Sequence, residues 1–361
     1  MWPAEQTLAD PAPVARALAG GGPVWPALGA AGLIAPVYEP GGRPHPDRLA
    51  RLLAAVDERA PFGATLGVCV QLAAAVPLLR AADPDNPLVA ATTAGRAVLA
   101  LAATDSGRGS QLDELRTTVE TDGDHLTLTG SKRWITNARL ADAFLVLARH
   151  EPGRHFTAFS FVLVPAGAPG VTVTAADTDL FDGAGLGDVA FDGVRLPATA
   201  LIGGRGRGMA LFARHIATER LAGGLWAVAL CRRVLADTVH VLRRPGAGGR
   251  VLWQDPGVRR TVGHCLARVH ELRALCATAG PRVAGRADPA AAALVKTATA
   301  GTVDHVLGHC ARLHGADGFA AGGLQRLRAE AAVFGIGGGV SEVAQEILAG
   351  RADDLLRELA W

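Results

Sequence analysis

The sequence predicts a mainly α-helical protein with a central β-domain, and three observations predict this fold class. The chain has 361 residues, enough for about two to three domains with sizeable cores. Apolar residues recur at three- and four-residue spacing near both ends of the chain, whereas the middle carries short apolar or alternating runs. Because helices, strands and helices follow in blocks, without βαβ alternation, the pattern argues against a Rossmann-type fold.

Residues 1–95 are predicted to form an N-terminal helical domain. Segments 24–34 and 46–56 carry apolar residues at helical spacing. Such spacing places the apolar side chains on one face of a helix, where they can be buried together.

Residues 96–205 are predicted to form a small β-domain. Asp122-Gly123-Asp124 supplies a tight turn, and Pro165 to Gly170 supplies the next one, because glycine adopts the positive φ that such turns need. The strand candidates are segments 98–104, 126–129, 144–148, 158–164 and 171–174.

Residues 206–361 are predicted to form a C-terminal helical domain. Four long segments return to helical spacing, and clusters of glycine and proline at 245–249 and 335–339 separate them. These segments are 211–242, 258–279, 287–313 and 341–359.

Charge and hydropathy exclude several classes of partner. The net charge is only +2, and no run of five like charges occurs, so neither nucleic acid nor an acidic membrane surface is an expected partner. The sequence contains no stretch of about 18 uninterrupted apolar residues, so no membrane span is predicted. The first residues lack the pattern of a secretory signal, and a cytoplasmic location is expected.

Cysteines and histidines give no metal or disulfide prediction. The five cysteines are odd in number and lie far apart without a CxxC motif, so we expect buried thiols. His305 and His309 stand four residues apart on a predicted helix, but no third ligand accompanies them. We predict no metal site.

Two motifs in the middle of the chain resemble those of the acyl-CoA dehydrogenase family. Segment 104–111 reads TDSGRGSQ and resembles the family's TEPGAGSD, and segment 130–137 reads GSKRWITN and resembles its GxKxWITN. Segment 313–319, LHGADGF, resembles the family's HGGxGF. The resemblance implies that family's fold, in which a middle β-barrel-like domain is followed by a C-terminal four-helix bundle, and it implies FAD as the cofactor.

The resemblance implies which residues contact FAD. Thr104, Trp134 and Thr136 match family residues that open onto the flavin, where hydroxyls can donate hydrogen bonds and an indole can stack on the ring. Ser110 matches a serine near both the cofactor and the pantetheine side of the substrate, although an ordinary loop serine is an equal alternative. Arg220 is a further candidate for substrate binding.

More FAD contacts are implied at subunit boundaries. Arg250 matches an arginine that reaches the FAD pyrophosphate of a neighbouring subunit, and Trp253 belongs to the same motif. Arg312 and Ala316 stand where the family usually has glutamine and glycine near the partner's FAD. Because the matching family residues contact the FAD of a neighbouring subunit, the resemblance implies a homo-oligomer, either a tetramer or a dimer. Departures from the family's residues occur at Gln254, Arg312, Ala316 and Val340.

The expected catalytic base has moved. The family's usual glutamate position is occupied by Gly338, whose backbone N–H can still bind the developing enolate oxygen. The segment TERLAGG at 218–224 resembles the one from which isovaleryl-CoA and long-chain dehydrogenases supply their base, which makes Glu219 the candidate. A carboxylate opening a helix is also favoured by the helix dipole without any catalysis, so that alternative stays open.

The resemblance implies α,β-dehydrogenation of an acyl thioester, with Glu219 taking the α-proton and flavin N5 accepting the β-hydride. The acyl group is carried by coenzyme A or by the phosphopantetheine of a carrier protein, and an electron-transferring flavoprotein is the family's usual acceptor. Two alternatives are open: a flavin-dependent monooxygenase on the same fold, and a non-catalytic member that acts as a binding or assembly subunit.

Overall fold

The chain forms two compact units, Met1–Glu219 and Arg220–Trp361. A computed structural model describes residues 10–105, 114–246 and 249–360. The first unit holds six helices of seven to twelve residues and the sheet in its described part, and the second is helical. The predicted fold class, mainly helical with a central sheet, is confirmed.

The first unit opens with helices that proline and polar caps set in place. His45 accepts a hydrogen bond from the N–H of Asp47, and Asn86 accepts one from the N–H of Leu88. A proline follows each cap at the first helical position, where its missing N–H costs nothing. The helices are α1 (Ala12–Leu18), α2 (Val24–Ala30), α3 (Pro46–Asp57), α4 (Phe62–Val70), α5 (Val76–Ala82) and α6 (Pro87–Thr93).

A π-helical turn, Gln71–Ala75, joins α4 to α5 and makes one helix of Phe62–Ala82. This helix is long and apolar enough to cross a membrane, but 94% of its most apolar window is buried inside the fold. The Gln71 amide donates to the carbonyl of Leu99. Burial in the core of the first unit therefore accounts for its composition.

The sheet has eight strands in the described part of the first unit. They are β1 (Leu99–Ala102), β2 (Thr118–Asp122), β3 (His125–Ile135), β4 (Ala143–Arg149), β5 (Phe159–Pro165), β6 (Val171–Ala175), β7 (Gly187–Pro197) and β8 (Leu201–Ile202). Their order is β6-β7-β3-β2-β4-β5-β8, and β1 pairs with β4 in parallel. Apolar side chains such as Phe144, Val162 and Phe191 form the core of this sheet.

The strand predictions are correct for β1, β4, β5 and β6, but β2, β7 and the two-residue β8 are not among them. β2 buries little besides Val119, so no apolar run marks it. In β7, Asp192-Gly193 interrupts an alternating apolar pattern, and Gly193 has φ +58°, so the strand looks like a turn in sequence. The predicted strand 126–129 continues to Ile135 through two bulges in its pairing with β7. The turn at Gly123, with φ +56°, forms as predicted.

Three long helices and four short ones make up the described part of the second unit, and two of the long helices begin at capping aspartates. Asp255 accepts hydrogen bonds from the N–H groups of Gly257 and Val258, and Asp288 caps the next helix in the same way. The helices are α7 (Gly208–Leu242), which starts in the first unit, α8 (Pro256–Arg286), α9 (Pro289–Leu313), α10 (Leu324–Ala331), α11 (Val333–Ile336), α12 (Ser341–Ala349) and α13 (Ala352–Glu358). The predicted segment 341–359 is thus two helices.

Glu219 does not open a helix. It lies well inside α7, which begins at Gly208, so the helix-dipole alternative for this carboxylate is wrong, because that effect fades within the first turn. The five cysteines are all buried thiols, as predicted.

Candidate active site

Three of the predicted flavin contacts lie where β1 and β3 end. Thr104 follows β1, while Trp134 and Thr136 flank the last residue of β3. The N–H of Arg133 donates to the carbonyl of Thr104 at 3.0 Å, so the two sequence motifs are hydrogen-bonded to each other. Ser110 lies outside the described residues. The structure therefore brings together the part of the predicted cofactor site that it describes.

Trp134 is held in an unusual backbone conformation. Its φ is +57°, which is rare for a bulky residue and costs free energy that the surroundings must offset. Its N–H donates to the Asp188 carboxylate at 2.9 Å, and the indole remains 47% exposed. An exposed indole fixed at its backbone is available for stacking on an aromatic ring.

These residues fit a flavin by their chemistry. The described residues offer no hydrogen-bond partner to the hydroxyl of Thr104 or of Thr136, so both can donate to the carbonyl and ring-nitrogen acceptors of an isoalloxazine. The exposed Trp134 ring supplies an aromatic face at the end of β3, the strand that Thr136 directly follows. The combination of two hydroxyls and one aromatic face suits a planar, polar-edged cofactor.

A buried ion pair that the sequence does not predict lies next to these residues. Lys132 is fully buried, and its Nζ donates to Asp105 Oδ1 at 2.6 Å and to the carbonyls of Leu147 and Ala103 at 2.7 and 3.0 Å. Asp105 also accepts from the N–H and hydroxyl of Thr117, both at 2.9 Å. The pair thereby ties the residues after β1 to β3, β4 and the start of β2.

Asp105 carries a charge despite its burial. Burial alone would raise the pKa of its carboxyl, but the charge and hydrogen bond of Lys132 and the N–H groups of Thr117 and Arg116 lower the pKa below its usual value of 3.8. Because every donor of the pair has an acceptor, the charges are compensated where they lie.

In the first unit, Glu219 lies half-buried on α7. Burial raises the pKa of the Cys69 thiol, and the negative charge of Glu219 raises it further. The carboxylate is therefore near this buried thiol, which stays protonated. A thiol in that state is a neutral, weakly polar neighbour and not a nucleophile.

In the second unit, Gly338 belongs to the loop between α11 and α12. Gly338 and Gly339 have φ of +71° and +84°, a region that favours glycine. The Nε of Arg220, a residue that is 8% exposed, donates to the Gly338 carbonyl at 3.0 Å. Arg220, predicted to bind substrate, is thus placed against this loop.

A second cation holds the same loop. Lys296 of α9 is buried, and its Nζ donates to the carbonyl of Phe334 at 2.6 Å and to that of Gly337. The residues around Lys296 carry no motif that predicts this contact. The available signal was composition, since the chain's 36 basic residues include only two lysines, Lys132 and Lys296, and both are buried.

The remaining predicted contacts lie at the surface of the second unit. The Arg250 guanidinium is 73% exposed, 3.6 Å from Asp255, and the Arg243 guanidinium lies 5.0 Å from the centre of the Trp253 ring. Arg312 and Ala316 are also exposed. Exposure leaves these residues available to a neighbouring subunit.

The predicted histidine pair acquires a third member. The ring of His305 lies 4.6 Å from that of His264 and 4.4 Å from that of His309, centre to centre. Among residues 10–105, 114–246 and 249–360, no group of three or more histidine, cysteine or acidic side chains is arranged to hold a metal ion.

Comparisons with known proteins match the two parts of the chain that contain the candidate site residues. Residues 100–194 match the family model of the acyl-CoA dehydrogenase middle domain, and residues 206–352 match that of the C-terminal domain. Acyl-[acyl-carrier-protein] dehydrogenase MbtN of Mycobacterium sp. (strain MCS) is 28% identical, covering 89% of this chain and 84% of that protein. Long-chain specific acyl-CoA dehydrogenase of Rattus norvegicus is also 28% identical, over 71% of this chain and 61% of its own length.

The fold is also found among solved structures. The FAD complex of PigA superimposes with a TM-score of 0.84 at 22% identity, covering 91% of this chain and 89% of PigA. At that identity the likeness shows a shared fold. The hydroxyls of Thr104 and Thr136 and the indole of Trp134 in this chain favour a flavin independently of that likeness.

Proposed function

Because the chain belongs to the acyl-CoA dehydrogenase family, and is thus an oxidoreductase acting on CH–CH groups, we propose that it introduces an α,β-double bond into an acyl thioester with Glu219 as the base. The observation that carries the assignment of the base is the half-buried position of Glu219 in the interior of α7. The position of the family's usual base holds Gly338, which has no side chain.

FAD is the proposed cofactor, and it supplies the acceptor for the β-hydride when bound. Thr104 and Thr136 would donate hydrogen bonds to its ring system, and Trp134 would stack against it. The Lys132–Asp105 pair would keep the residues after β1 in register with the end of β3, which carries Trp134.

The proton leaves from the carbon α to the thioester carbonyl. Glu219 takes this proton as the α C–H bond breaks, and the electron pair forms the double bond as the β-hydrogen departs with its own pair. The N–H of Gly338 is proposed to stabilise the charge that develops on the carbonyl oxygen. These roles need a carboxylate and a backbone donor, both of which the chain contains.

The proposed substrate is an acyl group carried on phosphopantetheine. Thioesters of coenzyme A and of a carrier protein share this arm, so the reacting atoms are the same in both. The likeness to MbtN over 89% of this chain favours a carrier protein. An electron-transferring flavoprotein is the proposed acceptor of the electrons from the reduced cofactor.

The proposal is tested by anaerobic reduction of the purified protein. Isovaleryl thioesters of coenzyme A and of a phosphopantetheinylated carrier protein are added separately, and loss of the flavin absorbance at about 450 nm is followed. Reduction by one of them supports the proposal and identifies the carrier. A protein that binds flavin but is reduced by neither thioester, across a series of acyl lengths, would contradict it.

The base assignment has its own test. Glu219→Gln is expected to retain FAD and to lose reduction by substrate, because the amide cannot accept the α-proton. Asp237→Asn, an exposed position on the same helix, is the matched control and should be reduced like the wild type. Unchanged reduction in Glu219→Gln would remove Glu219 as the base and leave the α-proton to another group.

A further inference from the structure

Lys296 is one of two lysines in a chain whose other basic residues are arginines. Both lysines are buried, and both donate to backbone carbonyl oxygens. An ammonium is compact and aims three donors from one atom, whereas a guanidinium is planar and larger. The two buried sites therefore use the cation that fits against converging carbonyls.

The carbonyls that Lys296 contacts are close to Gly338 in the chain. They belong to Phe334, at 2.6 Å from Nζ, and to Gly337. The ring of Phe334 lies 4.8 Å from that of Trp226, which fixes the segment on one side. Lys296 is 4% exposed, so solvent screens its charge only weakly at this position.

The carbonyl of Gly337 and the N–H of Gly338 are two ends of one peptide unit. The unit is planar and trans, so its N–H points away from its C=O and hence away from Lys296. A cation on the oxygen withdraws electron density through the amide and strengthens the N–H as a donor. The described residues offer no acceptor to the Gly338 N–H, which leaves that donor for a ligand.

The geometry points to Lys296 as a positioning residue that polarises the Gly337–Gly338 peptide, so that the Gly338 N–H becomes a strengthened donor to the thioester carbonyl. This inference rests on the proposed function, in which that N–H stabilises the enolate. Arg220 completes the arrangement, because its bond to the Gly338 carbonyl fixes the following peptide unit. Although this chain has Gly338 where the family usually has glutamate, the backbone N–H donor at that position is retained.

The experiment measures the bound thioester directly. The infrared carbonyl stretch of a [1-¹³C]-acyl thioester is recorded on the Glu219→Gln holoprotein, which binds without turnover. We expect a frequency below that of the free thioester in water, because a strong donor weakens the C=O bond. If the frequency equals that of the free thioester while Lys296 is still present, the inference is overturned, because no strengthened donor then acts on the carbonyl.

The same measurement is made with Glu219→Gln combined with Lys296→Gln or Lys296→Met. The amide of Lys296→Gln keeps a neutral donor, so the stretch should move part of the way toward the free value, and Lys296→Met should move it further. Asp304→Asn, on the exposed side of the same helix, should leave the frequency unchanged. A purely structural lysine would alter stability without moving the stretch.

Turnover separates this inference from the proposed function. In the otherwise wild-type protein, Lys296→Gln should lower kcat about 10-fold with little change in KM, less than the roughly 100-fold loss from removing an oxyanion donor. If the wild type reduces no flavin with any thioester, the proposed function fails. If the wild type is active and Lys296→Gln keeps both kcat and the carbonyl frequency, only the role of Lys296 fails.

Discussion

At the scale of single residues, His215 is a buried imidazole on α7. The described residues leave its Nε2 without a hydrogen-bond partner, and burial together with the charge of Arg214 lowers its pKa to about 4. An unfolded histidine takes up a proton near pH 6.5. Between these two values the unfolded chain binds more protons, so acidification from pH 6.5 toward 4 destabilises the fold, by up to about 1.4 kcal/mol per pH unit.

His215→Phe should remove this part of the pH dependence. Urea unfolding at pH 7, 6 and 5 measures the free energy of unfolding, and the decline over this range should be shallower in His215→Phe than in the wild type. His125→Gln replaces an exposed histidine and should keep the wild-type slope. Parallel slopes for His215→Phe and the wild type would contradict the prediction.

The residues of the candidate site differ in how visible they are in the sequence. Thr104, Trp134 and Thr136 could be predicted because each stands in a contiguous motif. The partners of Lys132 and Lys296 include backbone carbonyls of Leu147 and Phe334, and a backbone carbonyl leaves no trace in residue type. Buried cations of this kind become visible only when the fold brings distant segments together.

At the scale of elements, the Lys132–Asp105 pair joins four segments of the sheet. Lys132→Met leaves the Asp105 carboxylate buried without its cation, which should cost about 3–5 kcal/mol of unfolding free energy. The double variant Lys132→Met with Asp105→Asn should cost less, because the uncompensated charge is gone while the amide oxygen still accepts from Thr117.

Urea unfolding of the two variants measures these costs. Arg195→Met, an exposed position on β7, is the control and should change the free energy of unfolding by less than about 0.5 kcal/mol. If the double variant is no more stable than Lys132→Met, the lost unfolding free energy comes from the packing of the lysine side chain and not from the unpaired Asp105 carboxylate.

The elements themselves were predictable where one physical signal dominates. The long helices of the second unit have both periodicity and caps, such as Asp255 before α8 and Asp288 before α9. The sequence does not predict β7, because Asp192 and Gly193 interrupt its apolar alternation and its burial depends on pairing with β3. Strand pairing is a property of two segments, so one segment's pattern specifies it only in part.

At the scale of the whole molecule, the second unit exposes large apolar side chains in the single chain. Phe319 is 76% exposed and Leu359 is 74% exposed, and others of this kind are Leu252, Ile336, Val343 and Leu356. Burial of these side chains against another subunit would remove apolar area from water, which favours association. Their exposure supports the proposed homo-oligomer, in which the exposed Arg250 would reach the FAD pyrophosphate of a neighbouring subunit.

FAD retention should therefore depend on assembly. Sedimentation at a series of protein concentrations, recorded at 450 and 280 nm, gives the mass of the species and its flavin content together. We expect flavin to be lost over the same dilution range in which the oligomer dissociates, because each FAD would have contacts from two chains. Arg250→Ala should lower FAD content without lowering the mass, since a charge-assisted phosphate contact is lost while the apolar surface remains. Arg259→Ala, at an exposed position on α8, should retain wild-type FAD content. A monomer that keeps its full flavin content at every concentration would contradict the shared site and confine the FAD contacts to one chain.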